Sequence, residues 1–311
     1  MIIKAPIDLE LTQNSGQTSQ PPWKLDNNIY SDVVVADNKA VLFQVKQKEN
    51  NLDFNFIGDI SNKEATKKIK TIFDLDFNLN KFYKYLNNQP ELADMTNFCR
   101  DLRLFLAKDK FECVISSVCS ANNSIVRWTK SIDDIKKSWG NKYTYSEKDY
   151  FTFPDVSDFK NIYCDDVEEF ECCSNLNNPG ECINNLKSCG VGYRAPYMKK
   201  ASEIFTLEMD LDDISKMSYD EAFDTMLKVP GVGPKAADCI LLYGFNFRQA
   251  FPTDVWIKRI VSYLYFDGKD INVSKIREFG MEEFGDYAGY VQLYLFHYAR
   301  MSGLMKKLKG M

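Results

Sequence analysis

Short runs of apolar, β-forming residues broken by polar turn positions fill the first hundred or so residues. VVVAD (33–37), AVLFQVKQ (40–47) and LDFNFIG (52–58) are rich in β-formers and separated by Asn, Asp and Lys turn chemistry, which predicts an antiparallel meander. From about Lys81 the spacing changes: Phe82, Tyr83 and Leu86, then Phe105, Phe111, Val114, Ile115 and Val118 recur at threes and fours, the period of a helix. The pattern predicts an α+β protein, with an N-terminal antiparallel β-sheet domain and flanking helices over 1–104 and a mostly α-helical region over 105–311. Cys164 to Gly180, CDDVEEFECCSNLNNPG, has little aliphatic periodicity and reads as a surface excursion between helices.

A chain of 311 residues with 45% hydrophobic content can bury a full core. No apolar run approaches the roughly 18 residues of a membrane span. MIIKAPIDLEL lacks the basic-then-apolar layout of a secretory signal, so the expectation is an intracellular protein of the cytoplasm or nucleoid, with no membrane partner. Nine cysteines, an odd count, then predict reduced thiols. Cys164, Cys172, Cys173, Cys182 and Cys189 lack the paired CxxC spacing of common metal sites, and no metal site is predicted. The net charge of -5 argues at first against a nucleic-acid partner. Yet an acidic insert at about 155–181 holds eight acids against the single base Lys160, a local charge of -7 that leaves the rest at +2. A slightly basic body can still present a positive face to DNA.

The informative stretch is Tyr219 to Ile260. Ala222, Met226 and Leu227 mark one amphipathic helix, Ala236, Ala237, Ile240, Leu241 and Tyr243 a second, and VPGVG (229–233) joins them, giving a helix-hairpin-helix over about 219–245. Gly231, Val232 and Gly233 permit close backbone approach, Pro234 suits the first helical turn, and free amides at such a helix start can hold a phosphate. A plain connector would use the same residues. Lys235 follows in the first turn, where the helix dipole disfavours a cation and so favours the neutral amine, which can attack a sugar C1′ and form a Schiff base. An ordinary solvated lysine fits that position too. Asp254, after Pro252 and Thr253 and before an apolar run, is a natural N-cap; a carboxylate beside the nucleophile would also stabilise the cationic sugar formed as the glycosidic bond breaks. Both roles can coexist.

LKVPGVGPKAADCILL followed by PTDVW resembles the helix-hairpin-helix DNA glycosylases, whose bifunctional members carry a lysine nucleophile with the aspartate. NSGQ (14–17), SSVCSANNSIVRW (116–128), CGVGYRAPY (189–197) and YAGYVQLYLF (287–296) are similar to the 8-oxoguanine DNA glycosylases in particular, in the same order and across nearly the whole chain.

The resemblance implies a base-excision repair enzyme, a DNA glycosylase and AP lyase acting on double-stranded DNA that contains 8-oxoguanine, as a monomer and with no metal or organic cofactor. Lys235 would be the nucleophile and Asp254 its electrostatic partner. Gly16 would offer its carbonyl to the N7 hydrogen that distinguishes 8-oxoguanine from guanine, Cys239 and Phe296 would sandwich the flipped base, and Gln292 would read its Watson–Crick edge. Asn122, Arg127, Tyr193 and Arg194 would fill the vacated stack and contact the widowed cytosine. Two departures stand out: TSQPPW replaces the aromatic and Arg-Trp that usually follow NSGQ, and Trp256 stands where some members have histidine. No cysteine lies beyond Cys239, which excludes the four-cysteine cluster of endonuclease III relatives. The competing readings are a hairpin glycosylase for another lesion such as an alkylated purine, which usually lacks the hairpin lysine, and a noncatalytic DNA-binding module, which would leave Lys235, Asp254, Gln292 and Phe296 without a purpose.

Overall fold

The computed structural model describes residues 1–36, 38–164 and 184–308. Five strands, β1 (Ile2–Ile3), β2 (Lys24–Asp26), β3 (Ile29–Ala36), β4 (Lys39–Lys48) and β5 (Asn51–Ile57), form one antiparallel sheet in the order β1-β5-β4-β3-β2. β3, β4 and β5 are the three strands of the predicted meander. Val34 pairs with Val41 and faces the core, while the neighbouring pair Val33 and Leu42 faces the opposite side. That second face is covered as well, which is why VVV and VLF are continuous apolar runs rather than alternating ones.

The cover is a hairpin the helical periodicity did not announce: β6 (Lys142–Tyr145) and β7 (Lys148–Phe151), whose Tyr150 packs on Val33 and Leu42. Its two turn residues, Ser146 and Glu147, both take positive φ (46° and 63°), as a tight hairpin turn requires. Ser-Glu is not a usual sequence for that geometry, so the hairpin left no Asn-Gly or Asp-Gly signal.

The helices are α1 (Leu9–Asn14), α2 (Asn62–Ile72), α3 (Leu79–Asn87), α4 (Met95–Phe98), α5 (Lys110–Ser120), α6 (Ile125–Trp139), α7 (Val156–Phe159) and α8 (Ala195–Leu207). They continue with α9 (Leu211–Ile214), α10 (Tyr219–Leu227), α11 (Pro234–Phe245), α12 (Val255–Tyr265), α13 (Val273–Phe284), α14 (Ala288–Met301) and α15 (Leu304–Leu308). The protein is thus α+β, sheet first and helices after. Two cores interleave along the chain: α2 lays Ala65, Ile69 and Ile72 on the sheet, whereas Leu79 to Leu104 already pack with the later helices and Phe105 returns to the sheet. The start of the acidic insert is packed, since Phe159 is fully buried against Phe111 and Phe153. The predicted excursion from Cys164 to Gly180 lies, beyond Cys164 itself, outside the described residues, with Cys172 and Cys173, as does Cys182.

Buried charge joins the two parts. Lys108 and Lys136 both reach Asp32 of β3, and Glu112 lies 3.9 and 3.8 Å from the same two ammonium groups. Burial opposes ionisation of Asp32, but the two lysines hold its carboxyl below the usual carboxylate range; the Glu112 carboxyl, whose oxygens have no hydrogen-bond partner among the described residues, is pushed up by burial.

Candidate active site

The hairpin is braced from within. Asp238 of α11 is fully buried, accepts from Tyr219 of α10, and takes the Arg277 guanidinium of α13 at 2.7 and 3.1 Å. Arg277 also lies 3.9 Å from the centroid of Phe223. Breaking such a network would leave an unpaired buried charge, so the three helices hold one relative position.

Between α10 and α11 the backbone turns back at Gly231, at φ +84°. A Cβ there would come within 2.7 Å of Tyr197 Cβ, so glycine is demanded twice, by conformation and by the ring beneath. Gly233 caps α11 with nothing near its missing side chain, which leaves the helix start open. The expected trio of hairpin contacts needs one correction. Val232 points its side chain into the core and donates its own amide to Val229 O at 3.0 Å, closing the turn. Among the described residues the amides of Gly231 and Gly233 have no such partner, and these two are the ones free to meet a phosphate.

Lys235, half-buried in the first turn of α11, stands one turn before Cys239, which is buried. Burial pushes the Cys239 thiol above its usual range, with Lys235 and a hydrogen bond from Thr18 pulling the other way, so at neutral pH it is an uncharged thiol. Asp254 is the N-cap of α12 and accepts from Ile257 N at 2.8 Å through Oδ1. Capping uses one carboxylate oxygen and leaves Oδ2, so cap and electrostatic partner are compatible.

Lys235, Asp254, Gly16, Cys239, Gln292 and Phe296 line a single cavity. Three distant segments contribute: the 15–18 loop, the hairpin with its following helix, and α14. Gln292 is 8% exposed and its Oε1 is buried there without a hydrogen-bond partner. An unpaired buried acceptor is costly, and N–H groups on a purine edge would satisfy it. The cavity is about 60 Å³, room for roughly two waters, so a purine is admitted only if Phe296 or the 15–18 loop moves.

The altered sequence around Gly16 is replaced by a different anchor. Gln17 donates to Arg103 O at 3.0 Å and accepts from Phe105 N at 2.9 Å, and Gln20 donates to Leu106 O at 2.9 Å. Trp23 is buried against Phe73 and Phe105. Gly16 sits at φ +84°, and a Cβ would meet Ile125 Cδ1 at 2.5 Å. Arg300 was not foreseen. It donates to Ser15 O at 3.3 Å and lies 5.6 Å from the Phe296 ring centroid. Its spacing of four from Phe296 and eight from Gln292 on α14 was the available signal.

The opposite-base candidates lie on two turns clasped together. Tyr193 is 59% exposed; Asn122, in the turn between α5 and α6, and Arg127, in the first turn of α6, are exposed to solvent as well. Arg194 is buried, donating to the carbonyls of Ala121, Asn122 (3.1 Å) and Val191 (3.2 Å), with its guanidinium 4.4 Å from the Tyr193 ring. In this state it braces the turn that carries Asn122, with four of its five N–H donors given to protein carbonyls.

A family model described as HhH-GPD superfamily base excision DNA repair protein matches residues 115–285, and one described as the N-terminal domain of 8-oxoguanine DNA glycosylase matches residues 1–114. The chain belongs to the HhH-GPD superfamily.

Within the superfamily it is 44% identical to a probable N-glycosylase/DNA lyase of Methanothermobacter thermautotrophicus, over 97% of this chain and 96% of that one. An 8-oxoguanine glycosylase/lyase of Clostridium acetobutylicum, solved with double-stranded DNA holding cytosine opposite 8-oxoguanine, superposes with a TM-score of 0.78 at 28% identity, over 97% of this chain and 98% of that one. A 3-methyladenine DNA-glycosylase of Archaeoglobus fulgidus superposes nearly as well, with a TM-score of 0.77 over 97% of this chain and 98% of that one, at 21% identity. The fold therefore does not choose the lesion; the side chains in the cavity must. No helix among the described residues is long and apolar enough to cross a membrane.

Proposed function

We propose that this protein is a bifunctional DNA glycosylase/AP lyase that excises 8-oxoguanine from duplex DNA, opposite cytosine, and nicks the strand. The observation that carries the reading is one cavity in which an amine (Lys235) and a carboxylate (Asp254) meet an aromatic ring, a thiol and an unpaired acceptor, Gln292 Oε1. A noncatalytic module has no use for that set, and a water-activating glycosylase has none for Lys235.

The flipped base lies between Cys239 and Phe296, with Gly16 at its N7 edge and Gln292 at its Watson–Crick edge. Tyr193, Asn122 and Arg127 occupy the vacated stack, and Arg194 meets the cytosine once its bonds to the 121–122 turn are released. Lys235, as the neutral amine, attacks C1′; the C1′–N9 bond breaks and the departing base takes up a proton. The Asp254 carboxylate stabilises the cationic sugar. Ring opening gives a protonated imine on Lys235, which makes the C2′ proton acidic. Its removal expels the 3′ phosphate, and hydrolysis of the imine returns the amine. The protein works as a monomer in the compartment that holds the DNA.

Borohydride trapping on duplexes carrying 8-oxoguanine opposite each of the four bases tests the reading, with Lys235→Gln alongside. A covalent complex strongest opposite cytosine and absent in the variant is expected. Base release without trapping would replace this mechanism by a monofunctional one; neither would point to another lesion.

A further inference from the structure

The outer side of α12 opens a second cavity, of about 400 Å³, that no step above uses. α12 begins immediately after Asp254, and the residues it contributes recur at helical spacing, among them Lys258, Arg259 and Ser262. Lys269 and Asp270 line the cavity from the turn that follows the helix. Three cations therefore face one carboxylate in a chain whose net charge is -5.

Lys258 pairs with Asp270 at 2.5 Å, and the 3.8 Å contact of Lys269 with Asp267 is between exposed groups and weak. Arg259 has no carboxylate partner among the described residues; its guanidinium is exposed and lies 5.4 Å from the centroid of the Trp256 ring. Stacking holds the cation in place by its face and leaves its edge donors available. The second, independent feature is Ser262: it is 6% exposed and its hydroxyl, buried at the cavity, has no hydrogen-bond partner. An arginine fork, an ammonium and an orphan hydroxyl converging on one space match a tetrahedral oxyanion.

We propose that this cavity is a phosphodiester subsite for the strand that carries the lesion. The proposal rests on the glycosylase reading, because Asp254 at the head of the same helix is what places the damaged sugar beside it. At 1.5 Å per residue, Arg259 and Ser262 lie about 8 and 12 Å along the axis from Asp254, so the subsite lies clear of the flipped nucleotide itself. The subsite holds the strand in register without touching the base.

The test uses the full chain with Arg259→Gln, Lys269→Gln and the double variant, on duplexes containing 8-oxoguanine or no damage. Each lost phosphate contact should weaken binding about tenfold at low salt, equally on both duplexes, and flatten the plot of log Kd against log salt by about 0.9. Single-turnover excision at saturating enzyme should be unchanged. Replacing single phosphates of the lesion strand by neutral methylphosphonates should reveal one position at which the wild type loses the same factor and Arg259→Gln loses nothing more. An unchanged salt slope, or losses that add at every position, would overturn the subsite, and so would reduced excision at saturation with an unchanged slope. Lys269 lies in an exposed turn, so its variant keeps the test valid if Arg259→Gln melts early. If the wild type shows no lesion preference while the slope still flattens, the glycosylase reading fails, and with it the assignment to the lesion strand, while the cavity's contact with a DNA phosphate is kept.

Discussion

Gly16→Ala tests how base recognition is built. At φ +84° an alanine costs about 1–2 kcal/mol over glycine. Its Cβ would meet Ile125 Cδ1 at 2.5 Å, and rotating that side chain off its preferred conformation adds about 0.5–1.5 kcal/mol. The loop has few ways to relax, being clamped by the two Gln17 bonds on one side and by Arg300 on Ser15 O on the other. The easiest relief is rotation of the peptide that carries the Gly16 carbonyl. That would leave the N7 hydrogen of 8-oxoguanine buried without an acceptor, at about 1–3 kcal/mol, or a loss in kcat/KM of about 5- to 150-fold. An abasic site has no base to read, so β-elimination on a preformed AP duplex should stay within about twofold. Single-turnover rates on the two substrates, with thermal melting as the fold control, give the answer. Adding Ile125→Val removes Cδ1 and should recover stability while recognition stays impaired, because φ is unchanged. Undiminished 8-oxoguanine excision would refute the role of the carbonyl, and equal loss on both substrates would mean the cavity had collapsed instead.

Asp254→Asn keeps an N-cap acceptor for Ile257 N, so melting should be nearly unchanged while excision falls about 10²- to 10³-fold; a large drop in melting temperature would show that the carboxylate is chiefly structural. Arg300→Leu removes the clamp on Ser15 O and the cation over Phe296, and should reduce excision of 8-oxoguanine relative to AP cleavage by about tenfold in paired single-turnover assays. Asp32→Asn leaves Lys108 and Lys136 with Glu112 as their remaining carboxylate within 4 Å among the described residues and should cost about 3–5 kcal/mol, read by denaturant unfolding. The Asp32 carboxyl lies below its ordinary 3.8, so its contribution is complete above about pH 4 and fades as pH falls through the depressed value; wild type and variant should therefore converge in acid.

How much of this was legible from the residues depended on distance along the chain. The three long strands follow from β-rich runs bounded by turn residues, and the hairpin from two glycines, a proline and helical spacing on either side. Lys235 and Cys239 are one turn apart on one helix, and Asp254 is a cap, so their local placement needed no tertiary information. The β6–β7 hairpin escaped because Ser146 and Glu147 adopt positive φ without the usual turn residues, and its reason for forming, covering Val33 and Leu42, lies more than a hundred positions away.

The cavity itself could only be decided in three dimensions. Gly16 lies more than two hundred positions from Lys235, and Gln292 more than fifty beyond it, so the closeness of an amine, a carboxylate and an unpaired amide oxygen is set by how three segments pack on shared cores. Arg194 shows the same limit from the other side: its type suits a cytosine, yet burial beside carbonyls left open by the 121–122 turn gives its donors protein partners in this state. Local propensity and spacing act between neighbours and can be read in order. Which polar atoms end up paired, and which are left facing a cavity, depends on what the fold brings against them from elsewhere.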